Sequence, residues 1–115
     1  MQEKLEIIKE SILEKKGFDI KIIDISDLTT IADYFVICSG ATFVQTNAIY
    51  KNIRRNMKKH YKLHGEEGED SGDWILMDYS DVIVHIFVPQ TRERFNLELL
   101  WADGKFLEVE ELNDN

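Results

Sequence analysis

The stretch from Tyr34 to Ser39 reads YFVICS and is apolar on both of its alternating faces. A strand of this kind is typical of the centre of a sheet that is covered by other elements on both faces. Gly40 ends the run, and Thr42 followed by Gln45 has the spacing of a helix capping box. A long helix is therefore predicted over residues 43 to 63. A crossover of this length predicts parallel strands before and after it.

The rest of the chain shows helical or alternating apolar patterns that place further elements around this crossover. They predict a helix over 2–16 stopped by Gly17, a strand over 18–25, an antiparallel hairpin of 74–78 and 82–88 around a YSD turn, a short helix capped by Thr91 and running to about Trp101, and an edge strand over 105–109. The GEEGEDSGD stretch is interpreted as a solvated acidic loop, and the acidic C-terminal tail is expected to fray. We predict one α/β (α+β) domain over residues 1–115, with a mixed sheet of four or five strands packed with helices.

Composition narrows the class of protein. A chain of 115 residues that is 43% hydrophobic can bury a core without a metal or a disulfide. Cys38 is the only cysteine and is expected in the core, which excludes an intrachain disulfide. The apolar runs are shorter than the roughly 20 residues that span a bilayer, and the first ten residues are charged and amphipathic. We therefore expect a cytoplasmic protein that does not bind membranes.

The charge of the chain is unevenly distributed. Residues 51 to 62, KNIRRNMKKHYK, carry +6 within a chain of net charge -8, which leaves -14 for the remainder. The acidic body suits a basic partner and repels nucleic acid at long range. The basic stripe of the long helix is either a solvated face or a local contact with phosphates. Its residues are Lys51, Arg55, Lys58 and Lys62.

An enzymatic function is not predicted. Ser39-Gly40 before a capped helix resembles the entry to a nucleotidyltransferase site, which also needs two carboxylates two positions apart to hold metal ions. Asp78 and Asp81 are three apart and lie on either side of a turn. His60 and His64 have helical spacing but lack the further ligands of a zinc site, so they are interpreted as a solvated helix end, and no cofactor is expected.

Three long motifs resemble those of the ribosomal silencing factor (Iojap-related) family. They are TTIADYFVICSG over 29–40, DWILMDYSDVIVHIF over 73–87 and RERFNLELLW over 92–101. Together with Gln45 and the Glu67-Gly68 pair, they extend the resemblance from about Leu5 to Leu112. The resemblance implies a nucleotidyltransferase-like fold without the catalytic carboxylates.

The resemblance also implies a function. Members bind the ribosomal protein numbered fourteen of the large subunit, block a bridge between the subunits and repress translation. Organellar relatives act in large-subunit assembly, which is the alternative function here, and free members tend to be homodimers.

The residues expected at the contact include aromatic side chains of the kind that dominate interfaces. They are Trp74, Leu76, Asp78 and Tyr79, with Tyr34 and Arg92 as neighbours. From residue type alone, Trp74 and Leu76 could equally be core residues and Asp78 a turn residue. His85 is expected to be a buried, hydrogen-bonded core residue, or else part of the interface with Arg92 and Glu98. On a ribosome, the basic stripe would be the candidate contact for ribosomal RNA.

Overall fold

A computed structural model describes residues 2–109 of the chain. The elements, in chain order, are α1 (Gln2–Glu14), β1 (Phe18–Asp24), β2 (Tyr34–Ser39), α2 (Phe43–Met57), β3 (Gly65–Glu67), β4 (Trp74–Asp78), β5 (Val82–Phe87), α3 (Pro89–Phe95), α4 (Leu97–Leu100) and β6 (Lys105–Leu107). The strands form one mixed sheet in the order β3-β4-β5-β2-β1-β6.

The crossover around α2 leads to a parallel pair, but not the predicted one, because β2 pairs with β5 and the strand that follows the helix in the predicted order, β4, runs antiparallel to both. β2 and β5 are parallel, with Tyr34 opposite Val82 and Ser39 opposite Phe87, and α2 lies between them in sequence. The remaining strand pairs are antiparallel, including the predicted hairpin of β4 and β5. The α/β class is thus confirmed, but the sheet has six strands rather than four or five. The unpredicted strand is β3, whose GEE sequence has no apolar alternation and which pairs with β4 through its backbone.

The main core lies between the sheet and the two long helices. α1 contributes Leu5, Ile8 and Ile12, and α2 contributes Ile49, Ile53 and Met57; each is at most 1% exposed. Within each helix these residues recur at a spacing of three or four positions, which places them on one face. Cys38 is also fully buried here, as predicted, and burial raises the pKa of its thiol to about 12.

Gln45 fixes the start of α2 and joins it to α1. Its backbone N–H donates to Thr42 Oγ1 at 3.1 Å, and its Oε1 accepts from the Ala41 N–H at 2.7 Å. The side-chain Nε2 donates to the carbonyl oxygens of Lys15 and Lys16, which follow the end of α1. The capping residue predicted from sequence therefore also joins the two helices.

The prediction that α2 continues to Leu63 is wrong. The helix ends at Met57, whose carbonyl oxygen accepts from the N–H groups of both His60 and Tyr61. The chain turns there because Tyr61 and Leu63 pack against the main core before β3 begins. Lys58 is the C-cap residue of α2 and keeps helical dihedral angles, so Lys62 alone does not continue the helical stripe of Lys51, Arg55 and Lys58.

The predicted helix capped by Thr91 is also wrong in its details. α3 begins after Val88, which makes no side-chain cap, with Pro89 in the first turn, and Thr91 is buried. Asn96, at φ 47°, separates α3 from α4, and its side chain accepts from the Leu99 N–H. The edge strand β6 confirms the strand predicted near the C-terminus, while the acidic tail lies outside the described residues.

Candidate partner-binding surface

Strand β4 separates the predicted contact residues onto two faces of the sheet. Trp74, Leu76 and Asp78 alternate on the face away from α1 and α2, and all three are partly exposed. Tyr79 instead packs in the main core, where it is 1% exposed. The prediction of Tyr79 as a contact residue is therefore corrected, since its ring is not available on this surface. The period-two alternation of a strand was the signal that could have separated it from Asp78.

We call the partly exposed residues Trp74, Leu76, Asp78 and Ile83 the hairpin face. Ile83 lies opposite Asp78 in the register of β4 and β5 and packs, like Trp74, at the margin of a second, smaller core. That core is formed by Phe35, Ile37 and Phe87 with residues from the loop after β1 and from α4. The hairpin face thus presents apolar side chains beside one carboxylate.

Trp74 is held in place by aromatic neighbours and by one hydrogen bond. Its ring lies 4.9 Å from that of Phe87 and 4.7 Å from that of Phe95, measured between centroids. Its Nε1–H donates to His85 Nδ1 at 3.1 Å. Because the indole donor is satisfied within the chain, the exposed part of Trp74 can be buried by a partner without leaving a polar group unpaired.

His85 is a buried core residue, as predicted, and it also supports the hairpin face. It is 4% exposed, and the edge of its ring meets Phe35 at 4.7 Å between centroids. Burial lowers the pKa of His85 to about 4, so the ring is neutral near pH 7. With Nδ1 accepting from Trp74, the proton of the neutral ring is assigned to Nε2.

Asp78 combines a turn role with a place on the hairpin face. Its Oδ1 accepts from the backbone N–H of Ser80 at 2.8 Å, and Ser80 has a positive φ of 76°. This is the turn role that residue type alone suggested. Asp78 remains partly exposed, so the carboxylate can also meet a basic group of a partner.

Tyr34 and Arg92 do not extend the hairpin face. Tyr34 packs against the main core on the opposite side of the sheet. The Arg92 guanidinium, at 9% residue exposure, donates to Glu98 Oε2 at 3.0 and 2.7 Å and to Ser39 Oγ at 2.8 Å. Neither residue therefore shares the hairpin face: Tyr34 is partly exposed on the opposite side of the sheet, and Arg92 joins α3 to α4 and β2. Phe95 and Ile83 are the neighbours that sequence reasoning missed, and no local motif indicated them.

The predicted basic residues line an open groove at the end of α2. Lys51, Arg55, Lys58 and Lys62 are all exposed and border this groove, of about 970 Å³, between α2 and the segment leading to β3. Arg54 and Lys59 also line it, although they were not singled out. The six cations over residues 51–62, with no acidic residue among them, were the available signal for them.

The arrangement at Ser39 and Gly40 does not form a phosphate-binding entry. Ser39 is buried and its hydroxyl accepts from Arg92, while the Gly40 N–H donates to the Phe87 carbonyl oxygen. Within residues 2–109, the His, Cys, Asp and Glu side chains form no group suited to a metal ion. No helix in that range is long and apolar enough to cross a membrane.

Comparison with known proteins decides the family. The sequence model of the family described as "Ribosomal silencing factor during starvation" matches residues 1–115. The chain belongs to this family. It is 36% identical, over 99 residues, to the ribosomal silencing factor RsfS of Haemophilus influenzae, which covers 85% of this chain and 97% of that protein.

A solved structure and a more distant relative agree with this membership. A crystal structure of a Chromobacterium violaceum protein superimposes with a TM-score of 0.86 at 31% identity, covering 89% of this chain and 86% of the other. The Mus musculus protein named "Mitochondrial assembly of ribosomal large subunit protein 1" is 29% identical over 107 residues. The match covers 89% of this chain but only 46% of the mouse protein.

Proposed function

We propose that this protein silences ribosomes by binding the free large subunit through the hairpin face and preventing the small subunit from joining. The partner on the subunit is its protein numbered fourteen, which the family resemblance implies. The observation that carries the proposal is the hairpin face itself, where Trp74 and Leu76 lie beside Asp78 on the partly exposed side of β4. A half-buried aromatic and aliphatic pair suits the centre of an interface, and the carboxylate suits a basic ribosomal protein.

The pre-formed state of this surface supports the proposal. Trp74 is already fixed by Phe87, Phe95 and His85, so little side-chain freedom is lost on binding. Immobilising a free side chain of this size would cost roughly 0.5–1.5 kcal/mol. The satisfied indole N–H further implies that the partner site at Trp74 is apolar.

The mechanism is a linked equilibrium and needs no chemical step. A protein that binds the free large subunit but is excluded from the joined ribosome shifts the population toward separated subunits. Exposed Lys51, Arg55, Lys58 and Lys62 are proposed as contacts with nearby ribosomal RNA. The free protein is proposed to be a homodimer, which sedimentation velocity would test.

Co-sedimentation with separated subunits and with joined ribosomes tests the docking. We expect the protein to pellet with the large subunit alone and to reduce the fraction of joined ribosomes as it is added. Leu76→Glu and Asp78→Lys, singly and together, should abolish pelleting. Tyr79 must stay intact in this test because its loss would damage the core.

Two control variants make the result specific. Leu13→Glu changes a 43% exposed leucine of α1, away from the hairpin face, and should leave pelleting unchanged. Asp78→Asn keeps an acceptor for Ser80 while removing the charge, so weaker pelleting of this variant would assign the effect to charge. Full pelleting of Leu76→Glu, with circular dichroism unchanged, would place the contact elsewhere.

The second candidate function is assembly of the large subunit. The name of the mouse relative favours it, and both functions would use the same surface. Pelleting with the large subunit without any effect on subunit joining would select assembly over silencing.

A further inference from the structure

The groove at the end of α2 concentrates unpaired positive charge. Within residues 2–109, Lys51, Arg55, Lys58, Lys59 and Lys62 form no ion pair, whereas Lys4, Lys9 and Arg92 each lie within 4 Å of a carboxylate. All five groove cations are exposed. Cations at a helix C-terminus also offset its dipole, but that dipole amounts to roughly half an elementary charge. The charge present is far more than this helix end requires.

The acidic residue that lines the groove is already neutralised. Glu66 Oε1 accepts a hydrogen bond from the Tyr50 hydroxyl and lies 3.9 Å from Arg54 Nη1. Arg54 Nη1 in turn donates to the Tyr50 hydroxyl oxygen at 3.1 Å. Glu66 therefore does little to repel an anion, and the groove keeps a strongly positive potential on a chain whose net charge is -8.

Aromatic rings alternate with the cations along the segment that borders the groove. Residues 58–64 read KKHYKLH, and His60 and His64 are exposed on it. Tyr61 is partly buried beneath Lys4, whose Nζ lies 4.9 Å from the ring centroid. The segment has no regular structure between Tyr61 and His64, so its rings are not confined to one helical face.

We propose that this groove binds an unpaired RNA strand, with the cations on its phosphates and the rings of His60 and His64 stacked on its bases. Proteins commonly bind single-stranded nucleic acids with a positively charged groove along the phosphate backbone and aromatic side chains on which the bases stack. A duplex would offer phosphates but no free base faces, so it should bind more weakly. The inference deepens the proposed ribosomal RNA contact by naming the form of the RNA. It does not involve the hairpin face.

Fluorescence anisotropy of a labelled ten-nucleotide RNA against the full chain tests the proposal without a ribosome. The single strand should bind, and its affinity should fall with salt with a slope of about 0.7 per phosphate contact. His60→Ala with His64→Ala should weaken binding about tenfold while changing that slope little, because stacking is lost and charge is kept. Arg55→Glu with Lys58→Glu should weaken binding and flatten the salt dependence.

Matched variants separate this site from general charge and from docking. Lys21→Glu with Lys105→Glu reverses two exposed cations on the strands at the other end of the sheet, and binding should be unchanged. Leu76→Glu should also bind RNA normally, so failure of docking and failure of this site are distinguishable. Equal affinity for a duplex of the same sequence, equal loss in the two double charge reversals, or no binding at low salt would each overturn the proposal.

Discussion

The buried imidazole of His85 predicts a specific loss of stability in mild acid. In the folded chain its pKa is lowered from 6.5 to about 4 by burial alone, with Trp74 and Phe35 against the ring. Between these two values the unfolded chain takes up a proton that the folded chain does not, so the free energy of unfolding falls as pH falls. The loss of stability begins as the pH falls through the His85 pKa of the unfolded chain, and it is complete below the His85 pKa of the folded chain. One unit of pKa difference corresponds to about 1.36 kcal/mol, so the complete loss in the free energy of unfolding is about 3 kcal/mol. About 2 kcal/mol of it falls between pH 7.5 and pH 5.

Urea denaturation of the wild type and of His85→Asn at these two pH values measures the effect. The amide oxygen of the variant can accept from the Trp74 indole but cannot titrate in this range. Other groups titrate alike in both proteins, so the difference between the two pH dependences isolates His85. We expect the wild type to lose about 2 kcal/mol more than the variant on acidification. Equal losses of stability in the wild type and in His85→Asn would show that the buried ring takes up a proton freely, and they would refute the reasoning.

Two further predictions concern single side chains near the two surfaces. The Tyr79 hydroxyl is buried without a hydrogen-bond partner among the described residues, so Tyr79→Phe should keep or raise stability, by up to about 1 kcal/mol, whereas Tyr79→Ala should lose about 3–5 kcal/mol. Urea midpoints distinguish them, and a clear loss in Tyr79→Phe would contradict the assignment. Gly68 has φ +87°, and a Cβ there would lie 1.9 Å from the Trp74 carbonyl oxygen. Gly68→Ala should therefore lower the free energy of unfolding by about 1–3 kcal/mol, whereas Gly65→Ala, with open space at its Cβ, should change it little. Thermal denaturation compares the two variants, and equal melting temperatures would argue against a strained loop.

Local side-chain patterns were sufficient to predict most of the fold. α1, β2 and the β4–β5 hairpin follow from apolar periodicity, because burial of one face depends mainly on the order of apolar and polar residues along the element. The start of α2 follows from Thr42 and Gln45, since a cap is a contact between residues three apart. The length of the crossover indicated a parallel pair around α2, but its second strand is β5 rather than the predicted strand 74–78.

The composition of the hairpin face depends on contacts between residues that are distant in sequence. The guanidinium of Arg92, for example, donates to the hydroxyl of Ser39, 53 positions earlier, and the residues around Arg92 do not indicate that contact. The hydrogen bond from Trp74 to His85 likewise requires the register of β4 against β5. β3 has no apolar pattern of its own, and α2 ends where Tyr61 and Leu63 turn into the core.

The sequence by itself therefore determined the family motifs, the capped start of α2 and the cation-rich segment, because each is encoded in neighbouring residues. Only the tertiary structure decided which of these side chains share a surface. It placed Tyr79 in the core and left Leu76 partly exposed. It also set the cations of residues 51–62 around a groove that includes the end of α2 and the segment after it. The physical reason is that exposure depends on what other parts of the chain pack against a residue, which the residue and its neighbours do not encode.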